Sequence, residues 1–103
     1  AMRLVVAVLE PYQLDSVRQA LAEVHVTRLS IADAHGYGIC HQSMLSQQVV
    51  IEVAVNDDFV DRTLSTIRAA LVTEHSLGSD LLYTLPMTDA VQIYREVRGP
   101  EAI

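Results

Sequence analysis

The chain has no lysine: all seven of the basic residues among its 103 are arginines. That absence excludes the lysine of a phosphate loop, a Schiff-base lysine and a polybasic membrane patch together. Thirteen acidic residues leave a net charge of -6 and a pI near 4.9. A nucleic-acid binder needs clustered Lys and Arg to neutralise phosphates, and no such cluster is present. The single cysteine, Cys40, cannot form an intramolecular disulfide. Long apolar runs are also missing. The longest, Leu4 to Leu9, is far short of the roughly 20 residues that span a bilayer, so a role at a membrane would have to come through a partner. No basic, apolar and cleavable leader precedes the first strand, so a cytoplasmic location is expected. Ala1, ahead of Met2, reads as a remnant.

What is abundant is apolar. Half of the residues are hydrophobic, only 19% are charged, and the mean hydropathy is +0.26. At this length the chain reads as one domain, residues 1–103. So apolar a composition in so small a domain predicts surface covered by another subunit.

Leu4 to Leu9 is a continuous apolar run, rich in valine and ended by Glu10-Pro11, as in a strand buried on both faces. Leu14, Val17, Leu21 and Val24 follow at helical spacing and predict a helix over about residues 13 to 24. Leu29 and Ile31 alternate with Ser30 and Ala32, and Val49, Ile51, Val53 and Val55 alternate with Val50, Glu52 and Ala54, and both segments predict strands. Asn56 then reads as an N-cap, with Asp57, Asp58 and Asp61 near the positive end of the helix dipole. Val60, Leu64, Ile67 and Leu71 supply that helix with its apolar stripe. Leu81 to Leu85 makes a fourth strand, and Pro86 with Thr88 predicts a short C-terminal helix through Ala90, Val91 and Ile93. The fold class is therefore α+β: a ferredoxin-like βαββαβ sandwich with an antiparallel four-stranded sheet. The sheet face without helices needs a cover, most simply the same sheet of neighbouring subunits.

A strand running into Gly36-Tyr37-Gly38 is the most distinctive local feature. Glycines at a strand exit let the backbone approach a ligand closely, so this loop base is a candidate binding surface.

Several blocks in order resemble the PII signal-transduction family. They are Glu10-Pro-Tyr-Gln-Leu-Asp-Ser-Val-Arg18 beside the family's K-P-F-K-L-D-x-V-R, His35-Gly-Tyr-Gly38 beside K-G-F-G, Val50-Ile-Glu-Val-Ala-Val55, Asp57 to Arg62, and the ending Arg98-Gly-Pro-Glu-Ala-Ile103. The resemblance implies a non-enzymatic homotrimer that binds ATP or ADP in clefts between subunits and controls a partner protein, a transporter or an enzyme. It also implies a ligand cleft formed by Gly36, Tyr37, Gly38, Ile39, Cys40 and Glu52.

Three departures qualify that implication. Only Ile39 to Gln48 joins the middle strands where the family carries a long T-loop, so about a dozen residues and the loop's modified tyrosine are missing. Leu77-Gly-Ser-Asp-Leu81 stands where the family has I-G-D-G-K, with one glycine and the lysine lost. Gln92 and Tyr94 occupy the places of two phosphate-reaching arginines. Binding of ATP, ADP or AMP is therefore expected to be weak or altered, because a carboxylate near phosphates opposes binding and a missing cation removes some of it.

The rival to a cleft at the glycine exit is a tight strand end with a solvated Glu52. A second functional reading is a metal site. His35, Cys40 and His41 offer soft and borderline ligands within one loop, and threefold symmetry could gather them around zinc or copper, although their spacing matches no established motif. Cys40 and His41 do not form a nucleophile and base, since side chains adjacent on an extended chain point apart.

Overall fold

The computed structural model describes residues 1–36, 46–72 and 81–103, with the side chains of residues 35, 36 and 46 left aside. Strand β1, Met2–Leu9, leads through a 3-10 turn at Pro11–Gln13 into helix α1, Leu14–Glu23. Strands β2, Ser30–Gly36, and β3, Ser46–Asn56, follow, then helix α2, Asp57–Val72, and strand β4, Leu81–Met87. The sheet order is β2-β3-β1-β4, and every pairing is antiparallel. This is the ferredoxin-like arrangement expected from the sequence.

Alternation along the strands divides the sheet into two faces. On one, Val5 and Ala7 lie opposite Val53 and Ile51, and they join Val17 and Leu21 of α1 and Ile67 of α2 in the core. Leu21 and Ile67 are fully buried; each such side chain contributes about 1.5–3 kcal/mol of transfer free energy. The other face carries Leu4, Val6 and Val8 of β1 between Ala54, Glu52 and Val50 of β3 and Leu85, Tyr83 and Leu81 of β4. Neither helix contributes to it, and Leu81, Tyr83 and Leu85 remain exposed.

The turn after β1 is closed by side chains. Gln13, fully buried, accepts the Glu10 N–H through its Oε1 at 2.9 Å, while the Glu10 carboxylate accepts from the Gln13 backbone in return. This reciprocal capping box explains why two polar residues sit beneath the surface at the end of an apolar strand.

At the far end of α1, His25 adopts the left-handed conformation with φ 67. The Val26 N–H reaches the Leu21 carbonyl at 2.8 Å and the His25 N–H the Ala22 carbonyl at 3.0 Å, the bonding of a Schellman cap, where glycine is the usual residue. His25→Gly is therefore expected to stabilise the fold by about 1 kcal/mol. At fixed protein concentration the midpoint of thermal unfolding should rise by about 4 °C. A fall in the midpoint would mean that contacts of the imidazole outweigh the strain.

Two local expectations are corrected. Asn56 does not cap α2 with its side chain: its amide donates to the Pro100 carbonyl at 3.5 Å, and its Oδ1 takes no donor. The helix expected through Ala90, Val91 and Ile93 is instead a small hairpin, β5 at Val91–Gln92 and β6 at Val97–Arg98, followed by a 3-10 turn at Gly99–Ala102. β-branched Val91 and Val97, one in each strand, favour extended backbone, and Glu96 takes the left-handed conformation in the connecting turn, with φ 53. The hairpin is closed at its base by a 2.8 Å bond from the Gly99 N–H to the Ala90 carbonyl and by the Arg98–Asp89 pair at 2.6 Å.

Candidate functional site

The candidate site arises from a mismatch in strand length. β2 begins at Ser30, opposite Glu52, whereas β3 continues to Asn56. The last residues of β3 therefore have no β2 neighbour, and the connector from His25 to Leu29 passes beside them. A cleft of about 560 Å³ opens there. Thr27, Arg28 and Ser30 line it from the connector side, Glu52 and Ala54 from β3, and Ile103 from the end of the chain.

The chemistry of this cleft is mixed. Glu52 is an exposed carboxylate on the helix-free face, with Ser30 as its cross-strand neighbour. Arg28 brings a guanidinium that makes no ion pair among the described residues. Two hydroxyls, a carboxylate and one cation suit a polar effector with several hydrogen-bonding groups rather than a polyanion.

Of the residues singled out in the sequence, Glu52 is brought into this cleft. Gly36 ends β2 opposite Ser46, six residues and so about 20 Å along the strand from Ser30. Within one chain, Gly36 and Glu52 are thus not neighbours. Tyr37, Gly38, Ile39, Cys40 and His41 lie outside the described residues, as do Leu77 to Asp80 and the side chain of His35. Among the described residues no group of three metal-ligating side chains is gathered. No described helix is long and apolar enough to cross a membrane.

The C-terminal segment accounts for the positions where arginines were missed. Gln92 is buried, and its Nε2 donates to the Ala102 carbonyl at 3.2 Å, so it fastens the chain's own end. Tyr94 stands out from the hairpin at 79% exposure. Arg98 is committed to Asp89, whose carboxyl is held below the usual carboxylate range by that hydrogen bond and by the Ala90 N–H.

Thr27, Arg28 and Ser30 escaped the sequence reading. Thr27 and Arg28 lie in a connector without glycine or proline, between buried Val26 and half-buried Leu29, and Ser30 opens β2, so their only signal was three polar residues within four positions.

Residues 2–97 match the family model described as nitrogen regulatory protein P-II. The chain belongs to the nitrogen regulatory protein P-II family. Among its relatives, the nitrogen regulatory protein GlnK1 of Methanosarcina mazei is 31% identical over 115 aligned positions, covering 100% of this chain and 98% of the relative. Nitrogen regulatory protein P-II 1 of Escherichia coli is 34% identical, with 89% and 91% covered. A crystal structure of Arabidopsis thaliana PII bound to citrate superposes with a TM-score of 0.85 at 23% identity, over 98% of this chain and 88% of that one, and so shares the fold. P-II proteins are signal-transduction regulators and not enzymes, in keeping with the lack of an oriented acid–base pair in the sequence of this one.

Proposed function

We propose that this P-II chain is a homotrimeric regulator with a shortened T-loop, which controls a protein target, a transporter or an enzyme, in response to a small effector held between subunits. Gly36, Tyr37, Gly38, Ile39 and Cys40 form one wall of the effector site and Glu52 another, each drawn from a different part of the fold. The effector is an adenine nucleotide bound weakly through its phosphates, or a different small polar molecule.

The observation that carries this reading is the fate of the cations. The chain has no lysine, Gln92 is turned inward onto Ala102, and Arg98 is paired with Asp89. Arg28 is then the one cation lining the described cleft, too little to neutralise a triphosphate, and charge-assisted contacts are the strong ones in phosphate recognition. The shortened loop is supported by the alignment with the Methanosarcina mazei relative: its 115 positions for a chain of 103 leave a dozen without a residue of this protein.

Calorimetric titration with ATP, ADP and AMP, alongside a mass from light scattering, tests the proposal. The expected result is a trimer that binds ATP no more than about threefold tighter than AMP, a difference under 1 kcal/mol. Micromolar ATP binding would overturn the altered phosphate side, and a monomer would overturn the shared cleft.

A further inference from the structure

The effector cleft carries two opposite charges that do not meet. Arg28 lines it from the connector after α1 and Glu52 from β3, yet among the described residues neither makes an ion pair, with the other or with a third group. Both are exposed. A cation and a carboxylate held apart in one cleft are matched in full only by a ligand that brings both complements, because charge-assisted contacts are the strong ones. Thr27 and Ser30 add hydroxyls, and Ser30 stands across the ladder from Glu52. The remaining wall is apolar: Leu4 pairs with Ala54 on the helix-free face, and Leu29 lies on the connector side. A nucleotide would use this set only in part. One phosphate could meet Arg28, but a nucleotide brings no cation for Glu52, and each further phosphate charge is repelled by that carboxylate. A free α-amino acid brings one carboxylate and one ammonium on a single carbon, and an apolar side chain on that carbon would use the apolar wall as well.

We propose that the effector of this cleft is a free α-amino acid with an apolar side chain. Its carboxylate pairs with Arg28, its ammonium pairs with Glu52, and its side chain packs against Leu4, Leu29 and Ala54. The proposal rests on the reading of this cleft as the effector site and narrows the effector to one chemical class.

Calorimetric titration of the full chain with leucine tests it, beside 4-methylpentanoate, which lacks the ammonium, 3-methylbutylamine, which lacks the carboxylate, and glycine, which lacks the side chain. Leucine should bind saturably and at least about tenfold tighter than each of the others, as loss of one charge-assisted contact or of the buried side chain implies. Glu52→Gln should weaken leucine about tenfold or more and leave 4-methylpentanoate no weaker. Arg28→Gln should weaken leucine and 4-methylpentanoate alike and leave 3-methylbutylamine no weaker. Both residues are exposed and outside the core, so the exchanges should cost the fold little. Should either variant not fold, the ranking of the four ligands on the unaltered protein decides. No saturable binding of leucine, leucine no tighter than 4-methylpentanoate, or leucine affinity unchanged in a folded Glu52→Gln or Arg28→Gln variant would each overturn the proposal. AMP binding without leucine binding would also overturn it and leave the cleft between subunits standing. Leucine binding by a chain that light scattering shows to be a monomer would instead uphold the amino-acid site and overturn the shared cleft.

Discussion

Replacing Tyr94 with arginine and Leu81, which stands at the place of the family's lysine, with lysine is expected to raise ATP affinity by about a hundredfold or more, since each charge-assisted hydrogen bond to phosphate is worth about 1.5–3 kcal/mol. The two positions are chosen by their place in the P-II pattern and by what they leave intact. Tyr94 is 79% exposed at the hairpin turn, so exchanging it costs the fold little. Gln92 is the wrong site for the same experiment: it is buried and bonded to Ala102, and an arginine there would lose that bond and strand a charge. AMP affinity should change by much less than ATP affinity, because the added cations would meet the distal phosphates. The measurement is the same calorimetric titration, repeated at low and high salt, where the gain should shrink as ionic strength rises. Equal gains for AMP and ATP, or none for either, would show that the effector does not lie along this path.

How much of this could be seen in the sequence depended on the kind of signal. The continuous apolar run around Val5, the period-2 run around Val53 and the 3.6-period stripes around Leu21 and Ile67 marked out the central strands and both helices, because burial imposes those patterns directly. Strand ends were less legible. Met2 and Asn56 are drawn into the ladder by pairing with each other, a property of the assembled sheet and not of either segment. The C-terminal hairpin was misread as a helix because Pro86 and Thr88 imitate a helix start, whereas the features that set the hairpin, the Arg98–Asp89 pair and the left-handed Glu96, appear only once the chain has turned back. Asn56 shows the same competition. Its residue type suits a cap, but the Pro100 carbonyl, 44 residues away in sequence, takes its donor. The cleft at Thr27 to Ser30 was hidden for a related reason: it exists because β2 starts late relative to β3, and relative register is not written in either strand alone.

The helix-free face yields the other large effect. If the chain assembles as the proposed trimer, Leu85→Asp is expected to convert it to a folded monomer at micromolar concentration. Leu85 is 46% exposed in the single chain and lies beside Leu4, in a row that continues to Ala54. On a surface facing water, such a substitution would be close to neutral. On a face covered by a second copy, an unpaired carboxylate costs several kcal/mol per subunit, enough to dissociate an assembly of ordinary affinity. Far-UV circular dichroism should be unchanged, since the core on the opposite face contains no part of Leu85. Val72→Asp, at the end of α2 and 83% exposed, provides the control and should leave the mass unaltered. Glu52 belongs to the same apolar face, one strand from Val6 and opposite Ser30. A carboxylate is tolerated there only where the cover leaves a gap, so the seam between copies should run past Glu52, which is where an effector shared by two subunits would sit. A trimer that persists in Leu85→Asp would place the contact elsewhere and overturn an effector site shared by two subunits at Glu52.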